Sequence, residues 1–65
     1  IMADLQRGDE VIAVQDISVG IFSSVPKGTR GVVTDTSGFF TTQYTVSFEN
    51  GQKAENVDGN AIRAI

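Results

Sequence analysis

The chain has 65 residues, with five basic and eight acidic side chains, no Cys and no His. Disulfides and zinc sites built from Cys and His are therefore excluded, and the acidic balance argues against the basic stripe that supplies most of the affinity for nucleic acid. No apolar run approaches the roughly 18 residues that mark a membrane-spanning helix.

Seven glycines cut the chain into short pieces, and no glycine-free window carries apolar residues at helical spacing. Gln6-Arg7-Gly8-Asp9 is a polar lead-in. Glu10 to Val14 is the first predicted strand, apolar on both faces. Asp16 to Pro26 reads as a long loop with a period-2 trace, in which Ile17, Val19 and Ile21 alternate with Ser18 and Gly20. Pro26-Lys27-Gly28 is a turn in which Gly28 can take φ > 0. Thr29 to Thr36 is the second strand, closed by a turn signal at Ser37-Gly38. Tyr44, Val46 and Phe48 alternate with Thr45, Ser47 and Glu49, which predicts a half-buried strand over Tyr44–Glu49. Asn50-Gly51 predicts a type I′ hairpin turn, with Gln52 to Asn56 returning as the fourth strand. Val57 to Asn60 is expected to form one tight or 3₁₀ turn, and Ala61 to Ile65 a short fifth strand.

Five short strands, a long loop after the first and a tight turn before the last predict an all-β domain closed as a small barrel, since closure hides strand edges. Its expected core is Val11, Ala13, Val33, Tyr44, Val46, Phe48, Ala54, Val57, Ile62 and Ile65. We expect one domain over residues 1–65, and a chain so short buries only about 60% of its unfolded surface. Self-association or a partner would add stability. Ile1 is expected to be an extra residue ahead of a Met2-Ala3 start. With no charged-then-apolar leader and no Cys, a cytoplasmic protein is expected.

The stretch VPKGTRGVVTDT, Val25 to Thr36, decides between a phosphate cradle and a turn. A P-loop needs a Gly-x-x-x-x-Gly-Lys-Ser/Thr spacing ahead of a helix. Here Gly28 and Gly31 are too close, and a strand follows. Gly28 is expected to make the turn and Gly31 to permit a close backbone approach or a bulge, leaving Lys27 and Arg30 as a small basic spot. Asp9 with Glu10, and Asp35 with Asp58, are acid–base candidates by residue type alone. Asp58-Gly59-Asn60 lacks the spacing of an EF-hand loop, and Ser23-Ser24 has no base partner. No metal, cofactor or catalytic residue is expected.

Two apolar pairs beside loops, Ile21-Phe22 and Phe39-Phe40, are the oddities. Neighbouring strand residues point to opposite faces, so at most one of each pair should enter the core. The expected partner-binding set is Phe22, Phe39, Phe40 and Tyr44, with Lys27 and Arg30 as the basic spot, because aromatic residues dominate interface hot spots.

The order Gly8-Asp9-Glu10-Val11, Lys27-Gly28-Thr29-Arg30-Gly31-Val32-Val33, Tyr44-Thr45-Val46-Ser47-Phe48 with Asn50-Gly51, and Val57 to Ile65 resembles SH3-like barrels over nearly the whole chain. Within that fold it is similar to the electron-transport accessory group, which includes one of the small chains of photosystem I and the variable chain of ferredoxin–thioredoxin reductase. That resemblance implies a five-stranded SH3-like barrel serving as a non-catalytic docking or accessory subunit, with a protein partner or self-association and no redox centre. Asp9 to Val32 also resembles the KOW motif of ribosomal and transcription-elongation proteins in its D-x-V and K-G-x-x-G-x-V elements. This implies a nucleic-acid-binding alternative, from which the chain departs by the Gln15–Val25 insertion and its acidic balance. A further alternative is the type II dihydrofolate reductase, an oligomeric SH3-like enzyme. Its Val-Gln-Ile-Tyr stretch has only Val14-Gln15-Asp16-Ile17 and Thr45-Val46-Ser47-Phe48 as poor counterparts here.

Overall fold

The computed structural model describes residues 5–38 and 40–65, so Ile1 lies outside the described residues. The strands are β1 (Glu10–Ala13), β2 (Ile17–Ser18), β3 (Ser24–Val25), β4 (Arg30–Ser37), β5 (Gln43–Phe48), β6 (Lys53–Asp58) and β7 (Ile62–Ala64), with a 3₁₀ turn over Gly59–Ala61. Five of them form one antiparallel sheet in the order β6-β5-β4-β1-β7, while β2 and β3 form a separate hairpin. The chain is thus all-β. The ladder has β6 at one edge and β7 at the other and does not return on itself. No helix among the described residues is long and apolar enough to cross a membrane.

One face of the sheet carries the core: Val11, Ala13, Val33, Tyr44, Val46, Phe48, Ala54, Val57 and Ile62 are all buried, as expected from their alternation. Ile65 is not. It is 57% exposed beyond the end of β7, because strand alternation sends Ile62 inward and leaves Ile65, an odd number of residues later, on the other face. Leu5, Ile17, Val25 and Ala61 complete the core. Ile17 and Val25 pair directly across the β2–β3 hairpin, so the stretch read as a loop contributes a short two-stranded element through its own period-2 trace.

Two bulges flank Thr45. On β4, Val33 pairs with Val46 but Asp35 pairs with Thr45, so Thr34 is the extra residue, and its hydroxyl donates to the Thr45 carbonyl at 3.3 Å. On β6, Tyr44 pairs with Val57 while Val46 pairs with Ala54, so Glu55 and Asn56 oppose Thr45 alone. Asn56 has φ 57°, the left-handed region that Asn tolerates better than other non-glycine residues. Bulges bend a strand and increase its twist. The second also puts Ala54 and Val57, three residues apart, on the same buried face. That corrects the expected boundary: β6 runs on to Asp58, and the 3₁₀ turn follows at Gly59–Ala61 rather than from Val57.

The β5–β6 turn also differs from the type I′ expectation. Gly51 donates to the Phe48 carbonyl at 3.0 Å and Phe48 donates to the Gln52 carbonyl at 2.8 Å. Gly51 takes φ 93° while Asn50 stays out of the left-handed region. This is the three-residue hairpin with a glycine bulge. The Asn50 side chain stabilises it by accepting from the Gln52 backbone N–H at 3.0 Å.

Gly31 marks a close approach of β4 to β5. A Cβ there would lie 2.8 Å from the Ser47 carbonyl oxygen, 2.8 Å from Val46 Cγ1 and 2.9 Å from Phe48 Cδ1. The Phe48 ring thus occupies space that any side chain at position 31 would need. Gly31→Ala is expected to destabilise the fold by about 1–3 kcal/mol through overpacking, read as a lower midpoint of urea unfolding at an unchanged slope. Asn56→Gly should be tolerated at position 56, whereas Asn56→Val should lower the same midpoint, because a β-branched residue resists positive φ.

Candidate functional site

The β2–β3 hairpin is firmly held at its base. Ala13 donates to the Thr29 carbonyl at 2.9 Å and Gly28 donates to that of Ala13 at 2.7 Å, continuing the β1–β4 pairing to the hairpin's root. The Asp16 carboxylate accepts the Lys27 backbone N–H at 2.8 Å, and the Thr29 hydroxyl donates to the Pro26 carbonyl at 2.8 Å. Gly28, at φ 95°, turns the chain back into β4. Val25 is fully buried and Ile17 nearly so, while Val19 packs against the core from the hairpin arm.

Beyond that anchored base the tip carries apolar side chains in water. Val19 donates to the Ser23 carbonyl at 2.9 Å, closing a turn in which Gly20 has φ 92°. Ile21 is 88% exposed and Phe22 is 96% exposed. Neither member of this pair enters the core. In the β4–β5 connection Phe40 is fully exposed, and Phe39 lies outside the described residues. Large apolar side chains held wholly in water are what interaction surfaces present before they are covered.

The remaining expected contact residues separate. Tyr44 is a core residue, buried in register with Val57. It also lines a shallow groove with Leu5, Thr41, Thr42, Asn60 and Ile62. Arg30 begins β4 on the opposite face of the sheet, paired with Ile12. Lys27 is exposed in the turn that precedes it. Arg30 and Tyr44 therefore lie on opposite faces of the sheet. The groove's polar rim of Thr41, Thr42 and Asn60 was not legible in the sequence, since small polar loop residues look alike until the chain brings them together.

The carboxylates are engaged locally. Asp9 accepts the Gln6 backbone N–H at 2.8 Å, closing the turn ahead of β1. Asp35 accepts from the Arg7 guanidinium at 3.2 Å and from the Thr36 N–H at 2.9 Å. Arg7–Asp35 is the ion pair among the described residues, with both side chains largely exposed. Asp58 precedes the 3₁₀ turn without capping it. Among the described residues no cluster of three or more His, Cys, Asp or Glu side chains could hold a metal ion.

No family model, no curated protein and no solved structure matches this chain.

The Thr36 backbone N–H, then the Arg7 hydrogen bond, hold the Asp35 carboxyl below its ordinary value of 3.8. A depressed carboxylate contributes stability above its unfolded-state pKa, and that contribution is lost as pH falls through the folded value. The loss should therefore come below about pH 4, and it should be small because water screens so exposed a pair. Arg7→Ala is expected to move the Asp35 titration upward, toward but not fully to the ordinary value, since the Thr36 N–H remains. Carboxyl ¹³C shifts followed through acid titration would measure it, and an unmoved midpoint would show that Arg7 has no part in it.

Proposed function

We propose that this chain is a small SH3-like barrel and acts as a cytoplasmic, non-catalytic interaction module, an accessory subunit whose contact surface is formed by the Ile21-Phe22 tip and Phe40. The observation that carries this reading is the near-complete exposure of Phe22 and Phe40 on connections whose flanking strands are paired in ladders. An apolar ring in water has an unfavourable hydration cost that a partner would remove, at about 1.5–3 kcal/mol per buried side chain before association costs.

The SH3-like reading is supported by the element order. The first strand of the sheet is followed by a long connection carrying its own hairpin, and a 3₁₀ turn precedes the last strand. That last strand then pairs with the first at the edge of the same sheet. The resemblance to the electron-transport accessory group rests on size, the opening strand, the long first loop and the closing strand, and members of that group serve as docking or stabilising subunits. The Cys-free composition suits a reducing compartment.

Phe22→Ser and Phe40→Ser are expected to change folding stability by no more than about 0.5 kcal/mol, as exposed substitutions do, while abolishing capture of a protein partner by the immobilised chain. Thermal unfolding and affinity capture with identification of the bound protein would measure the two effects. Earlier unfolding of both variants would make the rings structural and sink the contact reading. A complex with RNA that survives about 0.15 M salt, or consumption of a reduced nicotinamide in the presence of dihydrofolate, would replace it with one of the alternative readings.

A further inference from the structure

We propose that the open edge of β7 is a strand-addition site, on which an extended segment of another protein pairs antiparallel with Ile62–Ala64 and sets apolar side chains into the groove beside Tyr44. The site is separate from the Ile21-Phe22 tip and does not depend on its role.

Hydrogen-bond alternation identifies the open groups. β7 pairs with β1 alone, with Ile12 opposite Arg63 and Ala13 opposite Ile62. Val14 donates to the Ala61 carbonyl at 2.9 Å, and Ile65 donates to the Glu10 carbonyl at 3.1 Å. In an antiparallel pair the bonded residues alternate. Ala61, Arg63 and Ile65 therefore turn their backbone groups toward β1, while Ile62 and Ala64 turn theirs away. Ala13 agrees with this: it donates to the Thr29 carbonyl and accepts from the Gly28 N–H, and so has nothing left for Ile62. The N–H and C=O of Ile62 and Ala64 have no partner among the described residues. The other edge of the sheet differs, since β2 lies against β6 and β6 is itself bulged.

A groove of about 700 Å³ lies along this edge, with Ile62, Ala64, Leu5, Tyr44, Thr41 and Asn60 in its lining. That volume is within the roughly 300–1,000 Å³ of sites that hold ligands. Residues opposite one another in neighbouring strands point to the same side. Ile62 is buried on the core face, so incoming residues opposite Ile62 and Ala64 point to that face as well, into the groove against Leu5 and Tyr44. The residues that make the backbone bonds are thus the ones whose side chains fill the groove.

The pattern of open groups selects the occupant. A donor and an acceptor on each of two alternate residues are matched by extended backbone, in which main-chain bonds give affinity and alternate side chains give specificity. A second β7 would match the bonds, but its own inward residues are Ile62, already buried in its own core, and Ala64, so the groove would stay unfilled. The groove sets the side chains of the incoming segment. Leu5, Ile62 and the Tyr44 ring call for apolar residues at two alternate positions. Asp58 also borders the groove, and the chain carries a net charge of −3, so an acidic segment is disfavoured.

The test is selection from a displayed library of random linear peptides on the whole chain, followed by amide hydrogen exchange of the ¹⁵N-labelled wild type with the enriched peptides. The enriched sequences are expected to carry apolar residues at alternate positions and to lack acidic ones. On binding, exchange should slow at Ile62 and Ala64, whose N–H groups gain a partner, more than at Arg63 and Ile65, which already bond to β1. Ala64→Pro removes an outward N–H and no bond to β1, a place where an edge strand tolerates proline. It is expected to weaken the enriched peptides at least about tenfold, whereas Phe22→Ser should bind them as the wild type does. The exchange measurement decides the matter on the wild type alone if Ala64→Pro does not fold. A library that yields no binder, enriched peptides that leave exchange at Ile62 and Ala64 unchanged, shifts confined to Gly20–Ser23, or a folded Ala64→Pro that binds as tightly as the wild type would each overturn the proposal. So would slowed exchange at Ile62 and Ala64 on concentrating the chain alone, which would assign the edge to a second copy.

Discussion

The close approach of β4 to β5 at Gly31 is the contact from which the rest of the structure follows. β4 is the middle strand of the sheet, with β5 on one side and β1 on the other. At Gly31 the absence of a side chain lets the Phe48 ring lie against the strand backbone. That ring, with Val33, Val46 and Val11, fills the centre of the buried face. In a chain this short there is little other apolar volume to draw on, and a shift of a few tenths of an ångström at the crossing would be felt by every member of the cluster. The turn at Gly28 and the hairpin anchored by Asp16 are positioned by the same strand, because both lead directly into β4.

Thr45 is the second pivot. A flat sheet of five strands would present its core residues on a plane, with too little depth to bury them. The extra residues at Thr34 and at Glu55–Asn56 bend the two strands on either side of Thr45. The β6 bulge also puts an exposed Glu, a left-handed Asn and an exposed Lys on an edge strand. An irregular, charged edge is a poor template for unwanted pairing with another chain. The β6 bulge thus contributes both to the curvature of the core and to the protection of one edge.

The two apolar surfaces differ in physical character. At the hairpin tip Ile21 and Phe22 project with no charged residue between Asp16 and Lys27, on a turn whose base alone is anchored. Such a knob fits a pocket on a larger partner. The outer face of the sheet is charged in both signs around Ile12 and Val32. Arg30, close in sequence to Lys27 and so expected beside it in a basic spot, belongs to this second surface because strand pairing, not sequence proximity, sets its neighbours.

The amino-acid sequence alone determined the class of the fold, most strand positions and most of the core, because alternation of apolar and polar residues is a local property of extended chain. It also showed Ile21-Phe22 and Phe39-Phe40 as anomalies for the same reason. Alternation failed where an extra residue entered a strand, at Asn56, since the left-handed turn that resets the register leaves no mark beyond a single Asn. It failed again at the Asn50-Gly51 turn, where pairing on both sides chose between hairpin geometries that the same dipeptide permits. Only the tertiary structure decided that Tyr44 serves the core rather than a contact surface, that Ile65 is exposed, and that Arg30, Ile12 and Arg63 stand in one row. Those facts depend on which strands lie side by side and in what register, and register is fixed by packing between residues far apart in the chain.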